Sequence, residues 1–286
     1  NLNPPTPQIS ILNSQFLIPN SQLSLQNKYL ECWRLRKEFK TDHGLFMAVR
    51  DFTLNMAMGE FVSIIGHSGC GKSTVLSMIA GLHELSGGGM VLDNKEIVGA
   101  GTDRAVVFQS PNLLPWLTAL DNVTLGIEQV HPNLNATQRA DMAHDWLKRV
   151  GLERSAHCKP AQLSQGMQQR VGIARAFALQ PKMLLLDEPF GMLDSLTRLE
   201  LQDVLLEVWN QYQITTLMVT HDVDEAVMLS DRIVMMTNGP AATIGDIVSI
   251  RLDRPRQRET VMETQEYLDY RESVVSFLEH PEVKVA

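Results

Sequence analysis

The stretch that most restricts this chain is Gly66-His67-Ser68-Gly69-Cys70-Gly71-Lys72-Ser73-Thr74, "GHSGCGKST". It follows "FVSIIG", a short apolar run rich in β-formers. It opens "KSTVLSMIAGL", which reads as a helix closed by Gly81. A strand, a glycine loop and a helix in this order demand an α/β core whose loop wraps an anion. Gly66, Gly69 and Gly71 are expected to take unusual φ/ψ so that backbone N–H groups turn inward. The helix start adds unsatisfied amides and the positive end of its dipole. The spacing predicts a bound nucleotide. Lys72 reaches the β- and γ-phosphates, Ser73 offers a hydroxyl to Mg²⁺, and Thr74 supports the α-phosphate side. Within the same cradle, Ser68 is a loop member and His67 reads as a solvent-facing one. Cys70 has two compatible readings: a small residue that fits, which is preferred, or a reactive thiol activated by the helix N-terminus.

A second site signal lies at "KMLLLDE", Lys182 to Glu188. Four apolar residues form a buried strand that ends in two carboxylates. Open α/β sheets place ligands at that edge. Asp187 suits Mg²⁺, directly or through water. Glu188 suits the orientation or deprotonation of an attacking water.

The rest of the chain fits a parallel α/β core. "YLECWRLRKEF", "RAVVFQ", "ITTLMVT" and "RIVMM" read as strands. Leu201, Val204, Leu205, Val208 and Trp209 mark one helix face. From Ser110 to about Gln162 the pattern is helical, an insertion in the core. Tyr267, Tyr270, Val274 and Phe277 mark a small helical appendage. Before it, "RLDRPRQRE" (251–259) mixes charges around a proline, which favours a solvated connector over an anion or lipid-headgroup patch. Residues 1–27 carry no charge and are rich in Asn, Gln, Ser and Pro, so a loose tail is expected. The opening residue is Asn rather than Met, which leaves open whether the native start lies in this sequence.

Net charge is −8, which argues against a nucleic-acid partner. The three cysteines form no CxxC pair and are read as reduced thiols of a cytosolic protein. No apolar stretch approaches membrane-spanning length, and no secretory signal is visible.

One further element faces an anion. "AQLSQGMQQRVGIARA" (161–176) puts Ser164 at a helix start with Gly166 two places on, roughly ninety residues beyond the phosphate loop. Together, and in order, the phosphate loop, "LSQGMQQR", "LLLDEPFGMLD" and "VTHDVDEA" resemble the ATP-binding subunits of ABC transporters. The likeness runs from about Tyr29 to Asp246. It implies a RecA-like P-loop NTPase core with a small antiparallel β part and a helical subdomain (about 110–168). The implied organisation is a tail over 1–28, the ATPase over 29–250, and a C-terminal connector and helix over 251–286.

The resemblance also implies roles. Phe39 stands where an aromatic ring stacks on adenine; many relatives carry Tyr there. Gln109 matches the glutamine that senses Mg²⁺ and the attacking water. Ser164 and Gly166 match the signature sequence, Asp194 the D-loop, and His221 the switch histidine at the γ-phosphate. In that family two subunits pair head to tail, and each signature closes over the other's ATP. The usual L-S-G-G-Q is here Leu163-Ser164-Gln165-Gly166-Met167. Gln165 either crowds the site or turns outward, and the outward reading is preferred.

A single nucleotide-binding domain without membrane helices implies docking on separate membrane-spanning permease subunits at the cytoplasmic face of the membrane. A substrate-binding protein would take part indirectly. "SPNLLPWLTALDNV" (110–123) would receive the permease, although core packing accounts for some of its residues. That run, "DEPFGMLD" and "VMMTNGPAATIGDI" are similar to importers of nitrate, nitrite, cyanate, bicarbonate, taurine and alkanesulfonates, most of all nitrate/nitrite. The competing expectations are a mainly regulatory or structural ATPase subunit of the same kind of complex, which Gln165 keeps open, a soluble ABC protein acting on nucleic acid or ribosomes, and an exporter subunit.

Overall fold

The computed structural model describes residues 28–42 and 44–280. The loose tail expected over residues 1–27 lies outside the described residues.

Two sheets form the frame. β1 (Leu30–Thr41), β2 (Gly44–Met56), β4 (Gly87–Leu92) and β5 (Lys95–Glu96) make an antiparallel sheet in the order β2-β1-β4-β5. β3 (Phe61–Ile65), β6 (Arg104–Val107), β7 (Met183–Asp187), β8 (Thr215–Thr220), β9 (Arg232–Met236) and β10 (Ile244–Ser249) make the second, in the order β10-β9-β3-β8-β7-β6. Its inner pairs are parallel, and only β10 runs against its neighbour. Every residue of β3 and of β8 is buried. This is why these strands read as continuous apolar runs: a parallel sheet is covered on both faces.

The helices are α1 (Lys72–Ile79), α2 (Ala119–Val130), α3 (Ala136–Arg149), α4 (Gln165–Ala178), α5 (Ser195–Tyr212), α6 (Val223–Leu229), α7 (Arg258–Val261) and α8 (Gln265–Glu279). One core joins the helices around α4 and α5 to the parallel sheet through Phe61, Leu184, Leu186, Phe177 and Trp209. A second lies between the two sheets around α1 and includes Phe52, Leu54, Val62, Ile64 and Leu217. A third seats α8 on α6 and β9 through Tyr267, Val274 and Phe277.

The stretch expected to turn helical at Ser110 does so only at Ala119. Residues 110–118 form a loop that the buried Asn122 fastens. Its carboxamide accepts from Leu114 N (2.8 Å) and donates to Leu114 O (3.2 Å) and Thr118 O (2.9 Å). Pro115 and Trp116 stay exposed. The segment 251–259 is solvated only in part: its alternate residues are exposed, while Leu252 and Arg256 are buried. Arg256 is 7 % exposed. Its guanidinium donates to Val227 O, Met228 O and Ser230 O, while Arg254 reaches Leu229 O and Asp231. The C-terminal carbonyls of α6 lack helical partners, and the buried Arg256 and the partly buried Arg254 satisfy them. Among the described residues no helix is long and apolar enough to cross a membrane.

Candidate functional site

The loop between β3 and α1 opens into a cavity of about 300 Å³. Its lining includes Phe39, Ser68, Gly69, Gly71, Lys72, Ser73, Thr74 and Glu188. Gly69 and Gly71 have φ of +78° and +99°. Gly71 is the left-handed N-cap of α1 and supplies no side-chain cap, so the first amides of α1 keep their hydrogen-bonding capacity for a ligand. The expectation of unusual φ/ψ fails for Gly66, which is not among the positive-φ residues. Its glycine is steric: a Cβ there would lie 2.8 Å from Cys70 Sγ and 3.2 Å from Met236 O.

Lys72 Nζ is held across the loop, donating to Gly66 O (2.8 Å) and His67 O (2.9 Å). Cys70 is buried, and burial pushes its thiol above the usual range, with Lys72 only partly opposing. Burial therefore favours the small residue that fits over the activated thiol. His67 is exposed, as expected, but its ring is engaged: Nε2 donates to Leu278 O at 2.7 Å.

The carboxylates sit where β7 ends. Ser73 Oγ donates to Asp187 Oδ1 at 2.7 Å. Burial raises the Asp187 carboxyl above the usual range; the Ser73 hydrogen bond opposes this and the Glu188 charge adds to it. A half-buried carboxylate beside a hydroxyl and a second carboxylate is an oxygen donor set that fits a small hard cation. Glu188 adopts φ of +44°, and its N–H donates to Val219 O at 2.9 Å. The side chain therefore leaves the strand direction for the cavity. Its Oε2 lies 3.1 Å from His221 Nδ1, which β8 delivers. Gln109, just after β6, approaches the same point. A Cβ built on Gly191 would meet Gln109 Nε2 at 3.3 Å and Glu188 Oε2 at 3.5 Å. So Lys72, Ser73, Asp187, Glu188, His221 and Gln109 converge on one sheet edge.

The remaining expected residues do not line this cavity. Ser164 is the exposed N-cap of α4, and its hydroxyl accepts from Met167 N at 3.2 Å. Gln165 is exposed as well. Gly166 is buried against α5, where a Cβ would fall 2.3 Å from Thr197 Cγ2. Asp194 caps α5 by accepting from Thr197 N at 3.1 Å. Hydrogen bonding from the Thr197 side chain, and then from its backbone N–H, holds the Asp194 carboxyl below the usual range.

Four residues of the site escaped sequence reasoning. Phe46 and Ala48 on β2 also line the cavity, and Phe46 is the cross-strand partner of Phe39. The alternation within "LFMAV" was the signal that could have found them. Gln169 of α4 is buried and donates to Phe108 O (3.0 Å), the carbonyl before Gln109. Arg175 of α4 donates to Pro111 O (3.0 Å) and Asn112 O (3.2 Å). One helix thus carries Ser164 at its start and holds the loop after Gln109 along its length.

A phosphate loop on a parallel sheet, with two adjacent carboxylates at the end of another strand of that sheet, defines a P-loop nucleotide-binding protein. The ABC transporter family profile matches residues 49–191. The chain is 45 % identical over 262 residues to the nitrate import ATP-binding protein NrtD of Synechococcus elongatus, covering 92 % of this chain and 96 % of that protein. It is 48 % identical over 251 residues to the nitrate transport protein NasD of Klebsiella oxytoca, covering 87 % and 96 %. It is 45 % identical over 269 residues to the bicarbonate transport ATP-binding protein CmpD of Synechococcus elongatus, covering 94 % and 96 %. A solved ATP-binding cassette, a dimeric post-hydrolysis state bound to ADP and Pi, superposes with a TM-score of 0.70 at 34 % identity, covering 78 % of this chain and all of that one. The chain belongs to the ABC transporter family, as an ATP-binding subunit.

Proposed function

We propose that this chain hydrolyses ATP to drive import of a small inorganic anion, nitrate or nitrite first, through separate membrane-spanning permease subunits. The observation that carries the hydrolytic part is the Glu188 Oε2 to His221 Nδ1 contact of 3.1 Å at a cavity shared with Lys72 and Ser73. Glu188 orients and deprotonates the attacking water. His221 holds the Glu188 carboxylate and touches the γ-phosphate. Lys72 and the α1 amides carry the charge of the β- and γ-phosphates. Phe39 stacks on the adenine. Ser73, Asp187 and Gln109 would hold Mg²⁺, which neutralises charge developing on the phosphate oxygens.

Ser164 and the start of α4 close over the nucleotide of a second ATPase subunit, which fits their absence from this chain's own cavity. The exposed Pro115 and Trp116 on the Asn122-fastened loop support permease docking there. That docking makes the chain a peripheral protein on the cytoplasmic face of the membrane. A substrate-binding protein would deliver the anion on the opposite side. Nitrate is preferred because NrtD and NasD, matched over nearly their whole lengths, are both named for it. CmpD makes bicarbonate the competing cargo.

The test is reconstitution of the chain with its permease subunits in vesicles. Nitrate supplied with the binding protein should stimulate ATP hydrolysis and enter the lumen, and bicarbonate, cyanate and taurine should not. Stimulation by bicarbonate alone would replace the cargo and keep the mechanism.

A further inference from the structure

The C-terminal segment touches the site at two separated places. At one, Asp224 lies on α6 three residues after His221. It accepts from Tyr267 Oη (2.6 Å) and Arg271 Nε (2.9 Å), both on α8. The far end of α6 is gripped by Arg254 and Arg256 through the carbonyls of Val227, Met228 and Leu229. A third link runs through α5. Arg258 donates to Gln202 Oε1 (2.7 Å), and Gln202 donates to Glu225 Oε1 (3.1 Å). Residues 251–271 thereby hold the helix behind the switch histidine at its start, middle and end.

The second place is the phosphate loop. The last turn of α8 has carbonyls without helical partners. Leu278 O is one of them, and it accepts a hydrogen bond from His67 Nε2 at 2.7 Å. The main-chain carbonyl of the same His67 accepts from Lys72 Nζ at 2.9 Å. One residue therefore connects α8 to the ammonium that faces the phosphates. From Tyr267 to Leu278 the helix spans roughly 16 Å. Its seat admits little slack: a Cβ on Gly245 would lie 2.5 Å from Phe277 Cζ, and Tyr267 is 1 % exposed.

We propose that residues 251–280 form a brace between the phosphate loop and the switch, with His67 and Asp224 as positioning residues for ATP turnover. Through the His67 main chain the brace holds the Lys72 ammonium in register for the incoming phosphates. Through Asp224 it holds the start of α6, and with it His221 against Glu188. The proposal rests on the nucleotide reading of the loop. It differs from plain stabilisation because the two ends act on different steps. The loop end governs ATP binding, and the α6 end governs the chemical step.

The experiment measures steady-state ATP hydrolysis, binding of a fluorescent ATP analogue and thermal unfolding on the full chain. His67→Ala should raise the KM for ATP about three- to tenfold, the worth of one hydrogen bond, with kcat nearly unchanged. His67→Gln, which keeps an N–H donor at similar reach, should restore the KM. Tyr267→Phe combined with Arg271→Ala should lower kcat by a similar factor at unchanged KM. Phe277→Ala, which loosens the seat of α8, should raise the KM alone and add little on top of His67→Ala, because both break one path. Variants that shift only the unfolding midpoint, or a fully additive His67→Ala and Phe277→Ala pair, would overturn the brace. No ATP binding by the unsubstituted chain would remove the nucleotide reading, and the brace with it. Normal binding with an unaltered KM in His67→Ala would remove the brace alone.

Discussion

Two helices in this protein begin at residues suited to an anion, and they begin differently. α1 starts after Gly71, in the left-handed region, with no side-chain cap, and its first residues line the cavity. α4 starts after Ser164, whose hydroxyl spends one lone pair on Met167 N and stands exposed outside that cavity. A helix start left uncapped inside a cleft is built to be completed by a ligand of its own chain. An exposed start carrying a serine and a tightly packed Gly166 is positioned for something brought to it. The difference fits the proposed divided site, in which this chain supplies one half for its own nucleotide and another half for a neighbour's.

The largest expected effect tests the first half. Glu188→Gln should lower ATP hydrolysis about a hundredfold to ten-thousandfold and leave ATP affinity intact, read by turnover and by analogue binding. Unchanged turnover would show that Glu188 is not the base. The next tests the second half. Ser164→Asp keeps the helix cap but sets a negative charge against the incoming phosphate, so hydrolysis should fall about a hundredfold. The affinity of the single chain for ATP should not move. A loss of that affinity would mean that α4 serves its own cleft, and the contrast between the two helix starts would collapse.

A smaller effect concerns the frame behind the switch. Glu225 is buried and pushed up from 4.5 to about 7, chiefly by desolvation. The folded state then keeps a proton that the unfolded state gives up, so stability is greatest below the unfolded value and falls as pH rises through about 7. The loss is at most about 3 kcal/mol and should appear as a lower denaturant midpoint at about pH 8 than at about pH 5. Glu225→Gln should flatten that slope. The smallest effect is Cys70, whose raised thiol should react with alkylating agents no faster than an unactivated cysteine.

Much of this arrangement was legible in the sequence because its signals are local. The phosphate loop, the paired carboxylates and the apolar runs of β3, β7 and β8 each announce themselves within a dozen residues. What escaped depends on contacts far apart in the chain. β2 and β10 lack a continuous apolar run, since β2 alternates and β10 is an antiparallel edge strand. Arg254 and Arg256 look solvated among mixed charges, and only the uncapped end of α6, more than twenty residues upstream, explains why they fold back onto it. The constraint on Gly66 comes from Cys70 and Met236 rather than from its own φ, and no local pattern announces it. The family resemblance supplied Gln109, Asp194 and His221, none of which carries a local chemical signature.

The divided site is tested most directly by the mass in solution of the Glu188→Gln chain with ATP and Mg²⁺, read by light scattering. Two copies held together by nucleotide, returning to single chains when Ser164→Asp is added, are the predicted result. A chain that binds ATP and stays single would contradict the account, because the α4 start of one copy would then not complete the cleft of another.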